Sequence, residues 1–346
     1  MSLATEIQEQ PRVLGRMLER APEIGRIAAA IATRQIEHVV VAARGTSDHA
    51  AIYAQYAFGI RLGLPVGLTT PSVVSVYGAE PRFGRALVIG ISQSGASPDI
   101  IAVLGAARRQ GAPTLAITND PRSPLADAAE MVLDLGAGPE LAVAATKTYT
   151  AELLGLALLA AAIRRPDDPL ADDPDLALVP AAVGTTLLAS AHVAGIAREV
   201  AVHDACVVVG RGYEYATARE WALKLKELAH VHADPYSAAD FRHGPIALVD
   251  VDLPVLAVAP SGRVAPDMEA LLRRLRDDLG ARVVVASDRA ELRALGSWSI
   301  DLPVLPEHLM PIASIVLGQL YAMHAAVARG LDPDRPRTIA KVTRTT

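Results

Sequence analysis

The sequence predicts an α/β protein built from two parallel five-stranded sheets, each flanked by helices. Three observations carry that prediction. Short β-branched runs alternate with Ala- and Leu-rich stretches of helical spacing, the pattern of parallel strands joined by helical crossovers. The chain is 346 residues long, past the size at which one core usually stops growing, so two domains of roughly 150 residues each are expected. The halves also echo one another: "VVVAARGTSDHA" and "VVVGRGYEYATA" each end a strand in a glycine turn before a helix, and "VIGISQSGASPD" has a fainter counterpart in "VLAVAPSGRVAPD". An ancient duplication accounts for this.

In the first half, strands are expected at 37–43, 65–70, 86–92, 113–118 and 131–135; in the second, at 205–210, 231–236, 253–260, 281–287 and 298–303. The segment 231–236 has the weakest pattern. Between the halves, "RRPDDPLADDPDLALVP" is rich in Pro and Asp and reads as a linker. The division is therefore an N-terminal helical segment over 1–30, a first domain over 31–165, a linker over 166–190, a second domain over 191–332 and a C-terminal tail over 333–346.

Bulk properties narrow the function. There are 33 basic and 38 acidic residues, a net charge of -5, and no long basic run, which speaks against nucleic acid as a partner. Cys206 is the only cysteine, so an internal disulfide and thiolate metal clusters are excluded; within "ACVVVG" it reads as a buried structural thiol. The start has no apolar core and carries acids, unlike a secretory or transit signal. The apolar run "LLGLALLAAAI" at 153–163 is about half of the ~20 residues a bilayer demands and reads as a buried helix. A cytoplasmic protein with no membrane partner is expected.

The candidate binding residues lie where strands stop. In an open parallel sheet, ligands bind beyond the carboxyl ends of the strands, and there "SQSGAS" places Ser92, Gln93, Ser94 and Ser97 around Gly95, before the helix "PDIIAVLGAARRQ". Neutral donors beside a helix N-terminus suit a phosphate monoester. The plainer alternative makes Ser97 an ordinary N-cap with Pro98 at N1 and Asp99 at N2. "ARGTSDHAA" at 43–51 adds Thr46 and Ser47 in a second glycine turn, and the segment 138–150 is placed to cover a pocket with backbone amides.

Lysine occurs only at 147, 224, 226 and 341, which leaves 29 arginines among the 33 basic residues. Each lysine therefore needs a reason, because lysine can lose its proton and act as an amine. On the helical segment around Trp221, Leu225 and Leu228, Lys224 shares a face with Glu227 at i, i+3 and with Glu220 at i, i+4; Lys226 points to solvent. A solvated ion pair is the ordinary reading of that spacing. His243 stands beside a Gly-Pro turn, where an imidazole serves chemistry more readily than packing, whereas His230 and His232 lack a nearby third ligand and read as structural.

With these segments assembled, the chain resembles the isomerase half of glutamine–fructose-6-phosphate aminotransferase, built from two sugar isomerase (SIS) domains. "RGTS", "ISQSGAS", "GPELAVAATK", "GRGYEYATAREWALKLKELAHVHADPY", "FRHGPIALVD" and "DPDRPRTIAK" recur in order. The resemblance implies that Ser92, Gln93, Ser94 and Ser97 hold a sugar phosphate, with Ser47 and Val143 lining the sugar. It further implies Glu227 as the base between C1 and C2, Lys224 as imine former, His243 as the group assisting ring opening, and Lys341 in a tail closing over the substrate. It implies a homodimer in which the His243 loop serves the neighbouring subunit, and chemistry needing no cofactor and no metal.

The sequence departs from the family pattern at Ala96 and Ser97, where "SQSGET" is usual, and at Ala145, where "ASTK" is usual. No glutaminase domain accompanies the match, so glutamine is not expected as the nitrogen donor. The expected activity is that of an amino-sugar-phosphate isomerase/deaminase, forming fructose 6-phosphate and ammonia from glucosamine 6-phosphate or a close relative. The alternatives are a fructosamine-6-phosphate deglycase and a non-enzymatic sugar-phosphate sensor; a sensor would need a DNA-reading module, and the roughly 35 residues before the first strand are too short for one.

Overall fold

A computed structural model describes residues 2–341. They form two compact units, neither continuous in sequence: Arg12–Glu140 and Lys147–Ala177 with the chain from Ala340, and Leu141–Thr146 and Leu178–Ile339 with the N-terminal stretch through Pro11.

The first unit holds β1 (His38–Ala42), β2 (Val66–Leu68), β3 (Ala86–Ile91), β4 (Thr114–Thr118) and β5 (Met131–Asp134), all parallel, in the order β2-β1-β3-β4-β5. Every residue of β3 and β4 is buried, as expected for strands covered on both faces by crossover helices. Strand addition reverses direction between β1 and β3, so the loops after these strands flank the crevice where such sheets take ligands.

The second unit repeats the plan with β6 (Ala205–Gly210), β7 (His232–Ser237), β8 (Val255–Val258), β9 (Val283–Ser287) and β10 (Trp298–Asp301). Their order, β10-β9-β8-β6-β7, is that of the first sheet counted from its own first strand, with the reversal between β6 and β8.

All ten expected strands are present. The largest differences are β8, four residues instead of eight, and β2, three instead of six: β2 is an edge strand, and soon after Thr69 donates to the Val41 carbonyl (2.9 Å) the chain turns into the short helix Ser72–Ser75. The weakly patterned segment forms β7 and pairs with β6 along its whole length; its Pro235 is tolerated because the strand is an edge. The run 153–163 lies in the buried helix Lys147–Arg164.

A longer apolar helix, Met310–Ala328, is the core helix of the second unit. By length and composition it could cross a membrane, but 89% of that window is buried within the protein. It packs on Val179–Leu188, Ser190–Val200 and Glu214–Lys224. Gly318 makes the last contact possible: a Cβ there would stand 2.9 Å from Trp221 Cγ. Trp221 in turn meets Tyr321 edge-on, with ring centroids 5.3 Å apart.

Candidate active site

The loop after β3 is a tight, neutral turn. The Gly95 amide donates to the Ser92 carbonyl (3.1 Å), the Ala96 amide to Ser94 Oγ (3.3 Å) and the Asn119 amide to the Gln93 carbonyl (3.1 Å). Gly95 has φ +60°, and a Cβ there would fall 2.0 Å from Ser123 Oγ, so only glycine lets the loop lie this close to Ser123. Ser97 is the N-cap of Pro98–Arg109 by position, yet its side chain makes no capping bond; its Oγ lies 3.5 Å from Ser92 Oγ. The ordinary-cap reading therefore does not explain the hydroxyl. Asp99, the one acid in the first turn, is buried against Arg44, with Nε to Oδ2 at 2.9 Å. The cradle thus presents hydroxyls and an amide, with the acid of the following helix's first turn already paired with an arginine.

Ser47 is buried in the first turn of Gly45–Leu62 and donates to Glu152 Oε1 (2.8 Å). The segment expected to offer amides does so only in part, because the Leu141 and Ala142 amides both donate to Glu6 (2.5 and 3.2 Å). Val143 is half-buried just beyond them. Lys341 Nζ donates to Glu140 Oε2 (2.6 Å), a buried carboxylate that also accepts from the Thr148 amide (3.1 Å) and hydroxyl (2.8 Å). The expected tail beyond Lys341 lies outside the described residues.

The second cluster stands where a helix changes pitch. Glu214–Lys224 is α-helical, Leu225–Ala229 is a π-helical turn, and His230 ends it in the left-handed region at φ 54°. Such turns recur at functional sites. Lys224 reaches Glu227 Oε2 at 2.6 Å and Glu220 Oε1 at 3.2 Å. Lys224 and Glu220 are wholly buried and the Glu227 side chain is 23% exposed, so the solvated ion pair expected from spacing is instead an interior triad open at one carboxylate.

Burial alone would push the Lys224 ammonium down, but the two carboxylates outweigh it and hold the group well above its ordinary value. The pairing favours the ammonium form, whereas an imine with a carbonyl carbon starts from the neutral amine. The geometry of Lys224 suits a different task, fixing and neutralising the carboxylates on either side. Glu220 was legible only as a helix-spacing pair.

His243 is exposed, closes the short helix Ala238–Arg242 and precedes Gly244. The turn is pinned by Arg242, which binds the Asp267 carboxylate (2.5 Å), and Asp267 is also paired with Arg211 (3.2 Å). Cys206 is buried and its thiol is pushed up to about 12 by burial, an inert structural group as expected.

These two sheets, with their switch-point loops and a charged helix turn, define a SIS-domain protein. The chain belongs to the SIS domain family, which it matches twice, over residues 33–162 and 200–329. It is 34% identical to the glutamine–fructose-6-phosphate aminotransferase [isomerizing] of Bradyrhizobium diazoefficiens over 98% of its own length and 58% of that protein's. The chain thus spans little more than half of that relative. Among solved structures it is similar to the C-terminal domain of glucosamine-fructose-6-phosphate aminotransferase from Francisella tularensis, with a TM-score of 0.87 at 26% identity over 96% of this chain and 98% of that one. The fold is also that of glucosamine-6-phosphate deaminase from Thermotoga maritima, with a TM-score of 0.73 at 21% identity over 100% of both chains.

Proposed function

We propose that the chain is an amino-sugar-phosphate isomerase/deaminase that converts glucosamine 6-phosphate, or a close relative, to fructose 6-phosphate and ammonia. The observation that carries this reading is Glu227: a partly exposed carboxylate on a π turn, with Oε2 held 2.6 Å from a buried lysine. In the open-chain amino sugar, Glu227 takes the proton from C2 and returns it at C1. The nitrogen is then left on C2 as an imine, and water adds to C2, breaks the C–N bond and releases ammonia. Lys224 keeps the carboxylate oriented throughout, and Glu220 balances the lysine's charge. Ser92, Gln93, Ser94 and Ser97 bind the phosphate, Ser47 and Val143 border the sugar, His243 assists ring opening and Lys341 closes the site.

The proposal includes a cytoplasmic homodimer in which His243 serves the neighbouring subunit's site. One experiment tests both base and dimer. Ammonia release from glucosamine 6-phosphate should fall by about 1,000-fold in Glu227→Gln, within the range for loss of a general base. Mixing that variant with inactive His243→Asn protomers should recover up to about a quarter of wild-type turnover by pairing the intact halves. Full turnover by Glu227→Gln rules out the base; no recovery on mixing rules out shared sites.

A further inference from the structure

The proposed phosphate cradle offers neutral donors, but one cation stands at its edge. Arg44 follows β1, and the parallel register that sets Val41 beside Ile89 and Ala42 beside Gly90, continued for two residues, puts Arg44 level with Ser92. From there its side chain reaches the first turn of the helix that leaves the cradle, where Nε donates to Asp99 Oδ2 (2.9 Å). Asp99 is a buried anchor: its side chain is 1% exposed, and Oδ1 accepts from the Ile100 amide (2.9 Å). The Arg44 side chain is 46% exposed, and its two terminal nitrogens have no acceptor among the described residues. Other arginines of this unit differ. Arg61 is taken up by two aspartates, Asp172 and Asp173, Arg85 and Arg109 meet the exposed acids Glu37 and Glu80, and Arg16 and Arg26 lie on helices that precede the first strand.

We propose that Arg44, held by Asp99, is a further phosphate-binding residue of this site and supplies the one formal positive charge beside its hydroxyls. The inference rests on the reading of Ser92, Gln93, Ser94 and Ser97 as the phosphate cradle. Anchored at Nε, the guanidinium keeps its end-on pair of terminal nitrogens free, a planar fork whose spacing matches two oxygens of a phosphate monoester. Bonds from such a group to a phosphate are about twice as strong as those from neutral donors. The buried anchor also removes much of the freedom that a long side chain loses on binding, so the fork stands ready rather than being recruited from solvent. The rival role for Arg44 is only to cancel the charge of Asp99, which would otherwise repel a phosphate. These roles part when both charges are removed together: a canceller is then no longer needed, whereas a ligand is still missing.

The test measures binding of inorganic phosphate to the full chain by titration calorimetry, a probe that does not depend on which sugar the site prefers. Arg44→Gln should weaken binding at least about ten-fold. Arg44→Gln combined with Asp99→Asn should stay weakened to a similar degree, and because this pair leaves no buried carboxylate unpaired, its thermal midpoint should stay near that of wild type. Unchanged affinity in Arg44→Gln, or affinity restored to the wild-type value in the double variant, overturns the assignment of Arg44. Ser94→Asp separates this from the underlying reading: phosphate binding that survives in Ser94→Asp, or no phosphate binding by the wild type, overturns the cradle itself.

Discussion

The switch-point loops of the two sheets start from the same plan and end with different charge. After β3, the turn around Gly95 carries hydroxyls, and Asp99 in the first turn of the helix that follows is paired with Arg44. After β8, the matching turn is filled by the protein's own anions: the Ser261 amide donates to Asp288 (2.6 Å), the Arg263 amide to Glu307 (2.9 Å), and the Glu307 carboxyl carbon lies 2.5 Å from where a Gly262 Cβ would be. A helix start following a glycine turn attracts negative charge in either case. What separates a binding site from a structural joint is whether the chain supplies that charge itself.

The loops after the first strand of each sheet differ in a related way. Aligned on Arg44-Gly45 and Arg211-Gly212, Ser47 corresponds to Glu214. Ser47 donates to Glu152 on the long helix after β5, while Glu214 accepts from Ser314 (2.7 Å) on the long helix after β10. The same strut ties strand end to core helix in both halves, with donor and acceptor exchanged.

Placing an acid in the first loop should make it resemble the second. Ser94→Asp is expected to raise the KM for a sugar phosphate about 100-fold or more through like-charge repulsion, with little change in thermal midpoint. An unchanged KM would show that the loop does not face the phosphate.

A slightly smaller effect is expected where the exchanged strut buries its acid. Glu214 is fully buried with Oε1 unpartnered, and burial pushes its carboxyl up to about 7 from an ordinary 4.5. Between those values the folded state holds a proton that the unfolded chain has released, so stability falls as pH rises through this window and levels off above it. Glu214→Gln has no such titration. Its stability relative to wild type should improve by up to about 3 kcal/mol from pH 4 to pH 8 in urea unfolding; a pH-independent difference would mean the carboxyl ionises normally.

The smallest expected effect is that of Gly95→Ala, which meets both a left-handed backbone and Ser123. A loss of about 1–3 kcal/mol in the same unfolding assay is expected. An equally stable variant would show that the turn can open away from Ser123.

The central strands were legible because parallel strands covered on both faces are written as near-continuous apolar runs rich in β-branched residues, whereas β7, an edge strand with alternating exposure, carried the weakest pattern. The spacing of Glu220, Lys224 and Glu227 was legible as well, but spacing carries no information about burial, and burial is what turns a surface pair into a charged triad. The π turn left no mark, since Trp221, Leu225 and Leu228 satisfy a helical stripe whether or not the pitch changes. Glu6 was invisible for another reason: it binds amides 135 residues away, and no local pattern reports so distant a partner. The sugar-site assignments of Ser47, Val143, His243 and Lys341 came from family resemblance, because a lone serine, valine or lysine has no chemistry that position alone identifies.

The discontinuous units bear on how the chain is made. The N-terminal stretch belongs with residues far along the chain: the Leu3 amide donates to Asp334 (2.6 Å), and Gln10 finds its buried partner in Gln319 (2.9 Å). Those contacts close loops of 331 and 309 residues, and the closure of so long a loop is slow. Whatever duplication produced the two sheets, the unit of the second sheet is completed by a stretch that precedes the first.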